Sequence, residues 1–325
     1  MKIAVLGAGA WGTALALGLA GDEASVALWT RNPEHARQMR HDGVNARYLA
    51  GFPLRDLTVT ADLAEATQGA DYLISAVPTS GFRDLLRQLH GATSPLVWLC
   101  KGFETGTTKL PHQVVAEEWP GRDDVAALSG PSFAQEVASG QPAALTLAAF
   151  DGEFARRAAH DLHRPRLRLY SSNDLPGVEV GGAIKNVIAI AAGISDGLGF
   201  GLNARAALIT RGLAEITRLG LRLGGRQETF MGLSGMGDLI LTCTGDLSRN
   251  RRVGLRLAQG ESLEGILREL GHVAEGVTTA REVCRLTGQL GVEMPIARAV
   301  CAILDQELPP KEAVAGLLSR ELRDE

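Results

Sequence analysis

The strand-like run Ile3-Ala4-Val5-Leu6 passes directly into Gly7-Ala8-Gly9-Ala10-Trp11-Gly12, and an apolar helical stretch follows. A G-x-G-x-x-G set between a strand and a helix leaves few architectures open. Gly7 permits the tight turn, Gly9 lets the backbone approach a pyrophosphate, and Gly12 permits close packing of helix on sheet. The start of the helix at Ala10 and Trp11 then offers unpaired N–H groups to phosphate. Alone the pattern is weak, because 39 of 325 residues are glycine against a usual ~7%. Its setting, with a second strand candidate at Ser25–Trp29, points to dinucleotide binding.

Further short apolar runs lie at Leu57–Thr60, Tyr72–Val77, Leu96–Leu99, Val125–Leu128, Ala144–Ala148 and Leu167–Tyr170, and amphipathic stretches such as Phe82–Leu89 and Phe154–Leu162 fall between them. This alternation predicts an α/β domain with a doubly wound, Rossmann-like, mainly parallel sheet. After about Asn173 the pattern turns helical, over Val180–Gly193, Ala204–Leu219, Leu263–Leu270, Val277–Leu290, Pro295–Leu304 and Lys311–Leu318. The expected division is a dinucleotide-binding domain over 1–175 and an all-helical C-terminal substrate and catalytic domain over 176–325, in keeping with about 100–200 residues per domain.

Composition removes several classes. With 33 basic and 37 acidic residues, no nucleic-acid surface is expected. Cys100, Cys243, Cys284 and Cys301 form no CxxC pair, and the seven histidines form no HExxH. These features predict a reduced, cytoplasmic protein without a metal site. Met1–Ala20 imitates a secretory signal, but glycines and Trp11 interrupt its apolar run. No stretch approaches the ~20 apolar residues of a bilayer span, so no membrane span is expected.

The second strand candidate ends at Thr30-Arg31-Asn32. A site that prefers NADH usually carries Asp or Glu here for the ribose 2′-hydroxyl, whereas Arg31 suits a 2′-phosphate. NADPH is therefore favoured over NADH, the alternative being a solvated arginine before a helix start.

Arginine carries most of the positive charge: of 33 basic residues only Lys2, Lys101, Lys109, Lys185 and Lys311 are lysine. A lysine among apolar neighbours then suggests a need for an ammonium that can lose its proton. Lys185 sits in Gly182-Ala183-Ile184-Lys185-Asn186-Val187, and Lys101 follows a strand at an end where open sheets bind ligand. Against this stands the ordinary snorkelling surface lysine. Ser129-Gly130-Pro131-Ser132 also ends a strand, Gly232-Leu233-Ser234-Gly235-Met236-Gly237 leads to the single carboxylate Asp238, and Ser248-Arg249-Asn250 can grip a phosphate or simply begin a basic helix.

These segments, with Asn45-Ala46-Arg47-Tyr48-Leu49, Asp196-Gly197-Leu198-Gly199, Asn203-Ala204-Arg205-Ala206-Ala207 and Glu275-Gly276-Val277, follow in order along nearly the whole chain. Together they resemble bacterial-type NAD(P)-dependent glycerol-3-phosphate dehydrogenase. The resemblance implies reversible reduction of dihydroxyacetone phosphate to sn-glycerol 3-phosphate, supplying glycerophospholipid synthesis, with Lys185 as catalytic acid and base. It implies substrate contacts from Lys101, Gly130, Ser132, Asn186, Asp238, Ser248, Arg249 and Asn250. It also implies a coenzyme lined by Ala10, Trp11, Arg31, Tyr48, Lys101, Ala134, Arg249, Val273 and Glu275. Ala10 departs from relatives that carry serine, which removes a hydroxyl near the pyrophosphate. Two other readings stay open: a reductase of the same layout for a 2-keto or 3-hydroxy acid, and a non-catalytic NAD(P)-sensing regulator. The residues do not define the assembly, a homodimer being one option.

Overall fold

The computed structural model describes residues 1–270 and 274–318. Two compact units emerge, Met1–Cys100 with Pro111–Leu175, and Lys101–Leu110 with Pro176–Glu325. The short segment Lys101–Leu110 thus leaves the sheet and returns: its Phe103 and Leu110 are buried in the helical unit's core. A single boundary at 175/176 has no place for such an excursion.

The strands of the first unit, in chain order, are β1 (Lys2–Leu6), β2 (Ser25–Trp29), β3 (Val44–Asn45), β4 (Leu49–Pro53), β5 (Leu57–Thr60), β6 (Tyr72–Ser75), β7 (Leu96–Trp98), β8 (Val125–Ser129), β9 (Ala143–Ala148) and β10 (Leu167–Ser172). Eight form one sheet in the order β10-β9-β8-β7-β6-β1-β2-β5. From β5 to β8 every pairing is parallel, and these strands, renumbered among themselves, run 3-2-1-4-5-6, the doubly wound order. β9 pairs antiparallel with β8 and parallel with β10, so the last two strands run against the rest. Ile3 to Leu6 are wholly buried, which is why β1 lacks the polar alternation of a one-sided strand. Strand order reverses between β1 and β6, and ligands bind beyond the strand ends at such a point. Gly7 follows β1 there.

The antiparallel pair β3–β4 adds to the expected strands. β3 is two residues long and β4 contains Gly51 and Pro53, so neither carries a period-two pattern.

Among its described residues the second unit is helical. Its first helix, Leu175–Gly197, extends the expected Val180–Gly193 at both ends and has a window of mean hydropathy 1.4. By length and composition it could cross a membrane, which corrects the expectation that no stretch approaches that size. Its window is entirely buried within the protein, and a helix apolar all round is what a surrounded core helix looks like. Where the helix Arg249–Ala258 crosses it, backbones touch. A Cβ on Gly193 would lie 2.0 Å from the Arg251 carbonyl oxygen, and one on Gly254 2.0 Å from that of Ile190. Any side chain at either glycine would force the helices apart. Further on, Gly291 ends the helix Glu275–Leu290 in the left-handed region. The buried Glu215 carboxylate then accepts from the Ile296 and Ala297 N–H groups, at 2.7 and 3.2 Å, at the start of the helix Pro295–Leu304.

Candidate active site

In the sheet unit the glycine loop has a steric reason at each end. Gly7 adopts φ +130°, and a Cβ there would lie 2.7 Å from the Ala76 carbonyl carbon. A Cβ on Gly12 would come within 2.0 Å of the Gly7 carbonyl oxygen. Gly9 differs, since a Cβ there meets no protein atom within 4 Å. Nothing in the protein demands glycine at that position, whereas close approach of a pyrophosphate does. The helix Ala10–Leu19 begins at Gly9 with no side-chain cap and no acidic residue in its first turn. Its first N–H groups and its dipole therefore suit an anion. Trp11 and Tyr48 are partly buried, and Arg31 lies exposed beyond β2. Beyond β8, Gly130 adopts φ +144° and its carbonyl accepts a 3.0 Å hydrogen bond from Ser132 Oγ; Ala134 opens the helix Ala134–Ala138.

In the helical unit three segments converge on one carboxylate. Lys185, 7% exposed on the core helix, donates to Asp238 Oδ1 at 2.5 Å and to Thr242 Oγ1 at 2.8 Å. Lys101 donates to Asp238 Oδ2 at 2.6 Å. Asp238, 1% exposed, follows a turn of π-helix over Leu233–Gly237, a local widening often found at functional sites. Thr242, one turn on, donates to the Asp238 carbonyl at 2.6 Å, so its hydroxyl presents a lone pair to Lys185.

Two ammonium groups share one buried carboxylate, and the electrostatics follow. Burial pushes the Lys185 ammonium down to about 8; the Asp238 charge opposes that fall and the Lys101 charge assists it. For Asp238 burial acts upward, but Lys101 and Lys185, by charge and hydrogen bond, outweigh it and hold the carboxyl below its ordinary value. Glu275 is raised by burial, against the charges of Arg249, Lys101 and Lys185. Next to the cluster, Asn250 Nδ2 donates to Asn186 Oδ1 at 2.9 Å while its Oδ1 accepts from Gly276 N–H at 3.1 Å. Ser248 Oγ caps the helix Arg249–Ala258 by accepting from Arg251 N–H. The basic helix start expected of this cluster is present, and Arg249 and Asn250 stand in its first turn.

Family models describing the N-terminus and C-terminus of NAD-dependent glycerol-3-phosphate dehydrogenase match residues 2–155 and 174–315. A glycerol-3-phosphate dehydrogenase [NAD(P)+] from Nitrosospira multiformis is 61% identical, covering 100% of this chain and 99% of its own. The chain belongs to the NAD-dependent glycerol-3-phosphate dehydrogenase family. A second member, from Thiobacillus denitrificans, is 61% identical over the full length of both chains. The crystal structure of glycerol-3-phosphate dehydrogenase from Coxiella burnetii superposes with a TM-score of 0.93 at 43% identity, covering 98% of this chain and 99% of that one.

Within the helical unit the fold brings together Lys101, Lys185 and Asp238, sets Asn186 against Asn250, and places Glu275 in the field of Arg249 and both lysines. Gly130, Ser132, Ala134, Arg31, Tyr48 and the glycine loop all belong to the sheet unit. Val273 lies outside the described residues. Thr242 was missed. Its only signal was its spacing of four after Asp238, visible once a helix at Asp238–Thr244 is known. Among the described residues no three His, Cys, Asp or Glu side chains are grouped to hold a metal ion.

Proposed function

We propose that this chain catalyses the reversible NAD(P)H-dependent reduction of dihydroxyacetone phosphate to sn-glycerol 3-phosphate, with Lys185 as its acid and base. The reading rests above all on Lys185, a buried ammonium lowered to about 8 and pinned to Asp238 at 2.5 Å. The glycine loop fits a dinucleotide, because Gly9 has open space beside it and the helix start is uncapped. When bound, a reduced nicotinamide supplies the hydride. Lys185 stabilises charge developing on the C2 oxygen of the substrate and gives it a proton. Asp238 and Thr242 take two of the directions around Nζ and hold the ammonium in place. Once the proton has left, Asp238 and Lys101 remain as a neutral pair, so the free amine leaves no uncompensated buried charge. In the oxidation direction the same amine is the base.

Arg249, with Ser248 and Asn250, binds the substrate phosphate, and that remote grip orients the reacting carbon. Asn186 is held by Asn250, and Gly130 and Ser132 complete the substrate contacts. Ala10, Trp11, Tyr48, Ala134 and Glu275 line the coenzyme, and Arg31 makes NADPH the preferred form. No metal takes part, the core helix does not span a membrane, and the protein acts in the cytoplasm, feeding glycerophospholipid synthesis. A 2-keto acid reductase would not need a phosphate grip, and a regulator would not need a tuned lysine. Absorbance of NADPH is the test, followed with and without dihydroxyacetone phosphate in the presence of a chelator. Substrate-dependent oxidation is expected; its absence sinks the proposal.

A further inference from the structure

A chain of buried hydrogen bonds runs from the end of β2 to the glycine loop, through residues with no role in the reading above. Asn45, wholly buried in β3, places Nδ2 at 3.0 Å from the Ala8 carbonyl oxygen and 2.8 Å from Thr13 Oγ1. Its Oδ1 lies 3.1 Å from Nε2 of His35, itself 7% exposed, and His35 Nδ1 lies 3.3 Å from Thr30 Oγ1.

Chemistry sets the direction of the bonds at Asn45. A backbone carbonyl only accepts, so the amide group facing Ala8 is Nδ2 and the atom facing His35 is Oδ1. In the neutral imidazole His35 then carries its proton on Nε2, and Nδ1 accepts from the Thr30 hydroxyl. Ala8 precedes Gly9 and Thr13 follows Gly12, so one amide grips the loop on both sides of the residues that meet the pyrophosphate. At the other end, Thr30 is the neighbour of Arg31, and Asn32 Oδ1 accepts from the N–H groups of Glu34 and His35. The chain therefore ties the pyrophosphate end of the coenzyme site to the turn that bears Arg31.

We propose that Asn45 and His35 are a positioning pair for the coenzyme: Asn45 holds the dinucleotide loop in its binding shape, and His35 fixes the orientation of the Asn45 amide. This rests on the glycine loop being the coenzyme site. Neither side chain takes part in the chemistry, so the effect falls on coenzyme affinity and not on turnover at saturation.

The test uses the full chain, with NADPH binding titrated by fluorescence and with KM for NADPH, KM for dihydroxyacetone phosphate and kcat measured in parallel. Asn45→Asp keeps the shape but removes both N–H donors. It should raise the Kd and KM for NADPH about tenfold or more, with kcat and the substrate KM within about twofold. His35→Gln can still donate to Asn45 Oδ1 and should stay near native. His35→Leu cannot, and should weaken NADPH several-fold. That rescue pattern separates positioning from bulk stability, and it decides the matter even if Asn45→Asp fails to fold. Unchanged NADPH affinity in Asn45→Asp, or equal losses in His35→Gln and His35→Leu, overturns the proposal. A wild-type chain that does not bind NADPH would instead overturn the coenzyme reading beneath it.

Discussion

In the sheet unit, Gly7–Gly12 is a stretch of consecutive residues whose side chains are mostly small or absent, and it presents backbone N–H groups. In the helical unit, Lys101, Lys185 and Asp238 come from three distant segments and meet at the tips of their side chains. The first arrangement offers fixed dipoles and open space. The second concentrates formal charge in a buried place and so changes the acidity of its own members. A site made of backbone can hold a coenzyme but has no proton to give, whereas a site made of buried ionisable groups can supply one. The contrast predicts a division of labour, with loop variants acting on coenzyme affinity and cluster variants on turnover.

Lys185→Met is the strongest attempt to break that division. It removes both charge and proton while keeping much of the side-chain length. It should cost about a thousandfold or more in kcat and still bind NADPH in a fluorescence titration. Loss of NADPH affinity in parallel with kcat would mean the two regions are not separable.

Asp238→Asn comes next, with an expected loss of about a hundredfold in kcat. It also has a sign in pH. In the proposed mechanism reduction needs the ammonium, and because burial lowers Lys185 to about 8, kcat for reduction should fall as pH rises through that value. Without the carboxylate, burial and Lys101 are opposed only by the weaker charge of Glu275, so the falling limb of kcat for reduction should move to lower pH. A limb that stays in place would show that Asp238 does not tune Lys185.

Arg249→Ala should lower kcat/KM for dihydroxyacetone phosphate roughly tenfold, the worth of a charge-assisted hydrogen bond, and should change it far less for unphosphorylated dihydroxyacetone. Equal losses on the two substrates would move Arg249 from the phosphate to the fold. The smallest effect belongs to Arg31, whose exposed charge is screened. Arg31→Asp should shift the ratio of kcat/KM for NADPH over NADH by about two- to fivefold toward NADH. An unmoved ratio makes it an ordinary surface arginine.

The same contrast explains what could be read in the residues alone. The glycine loop is local, so spacing revealed it, and the parallel strands β1 and β6–β8 are apolar runs that need no partner to be seen. Lys185 stood out by type, a lone lysine on an apolar helix in an arginine-rich chain, but Asp238, to which it donates, lies 53 positions away, beyond any local pattern. Thr242 and the Asn45–His35 pair stayed hidden. The short helix of Thr242 and the β3–β4 pair that holds Asn45 carry no strong period, and the meaning of these residues lies in contacts such as that between Asn45 and Thr13, made across 32 positions of sequence. The long core helix was underestimated for a related reason: its glycines, which look like breakers, allow close backbone packing at Gly193.

Lys185→Arg bears most directly on the claim that this buried lysine moves a proton. Arginine keeps the positive charge but does not readily lose a proton. The measurement is kcat for reduction of dihydroxyacetone phosphate across roughly pH 6 to 9, with NADPH binding verified on the same preparation. A variant that binds NADPH and is crippled at every pH is the predicted result. Near-native kcat across that range would contradict the account, leaving Lys185 as a fixed charge and the proton to come from another group or from water.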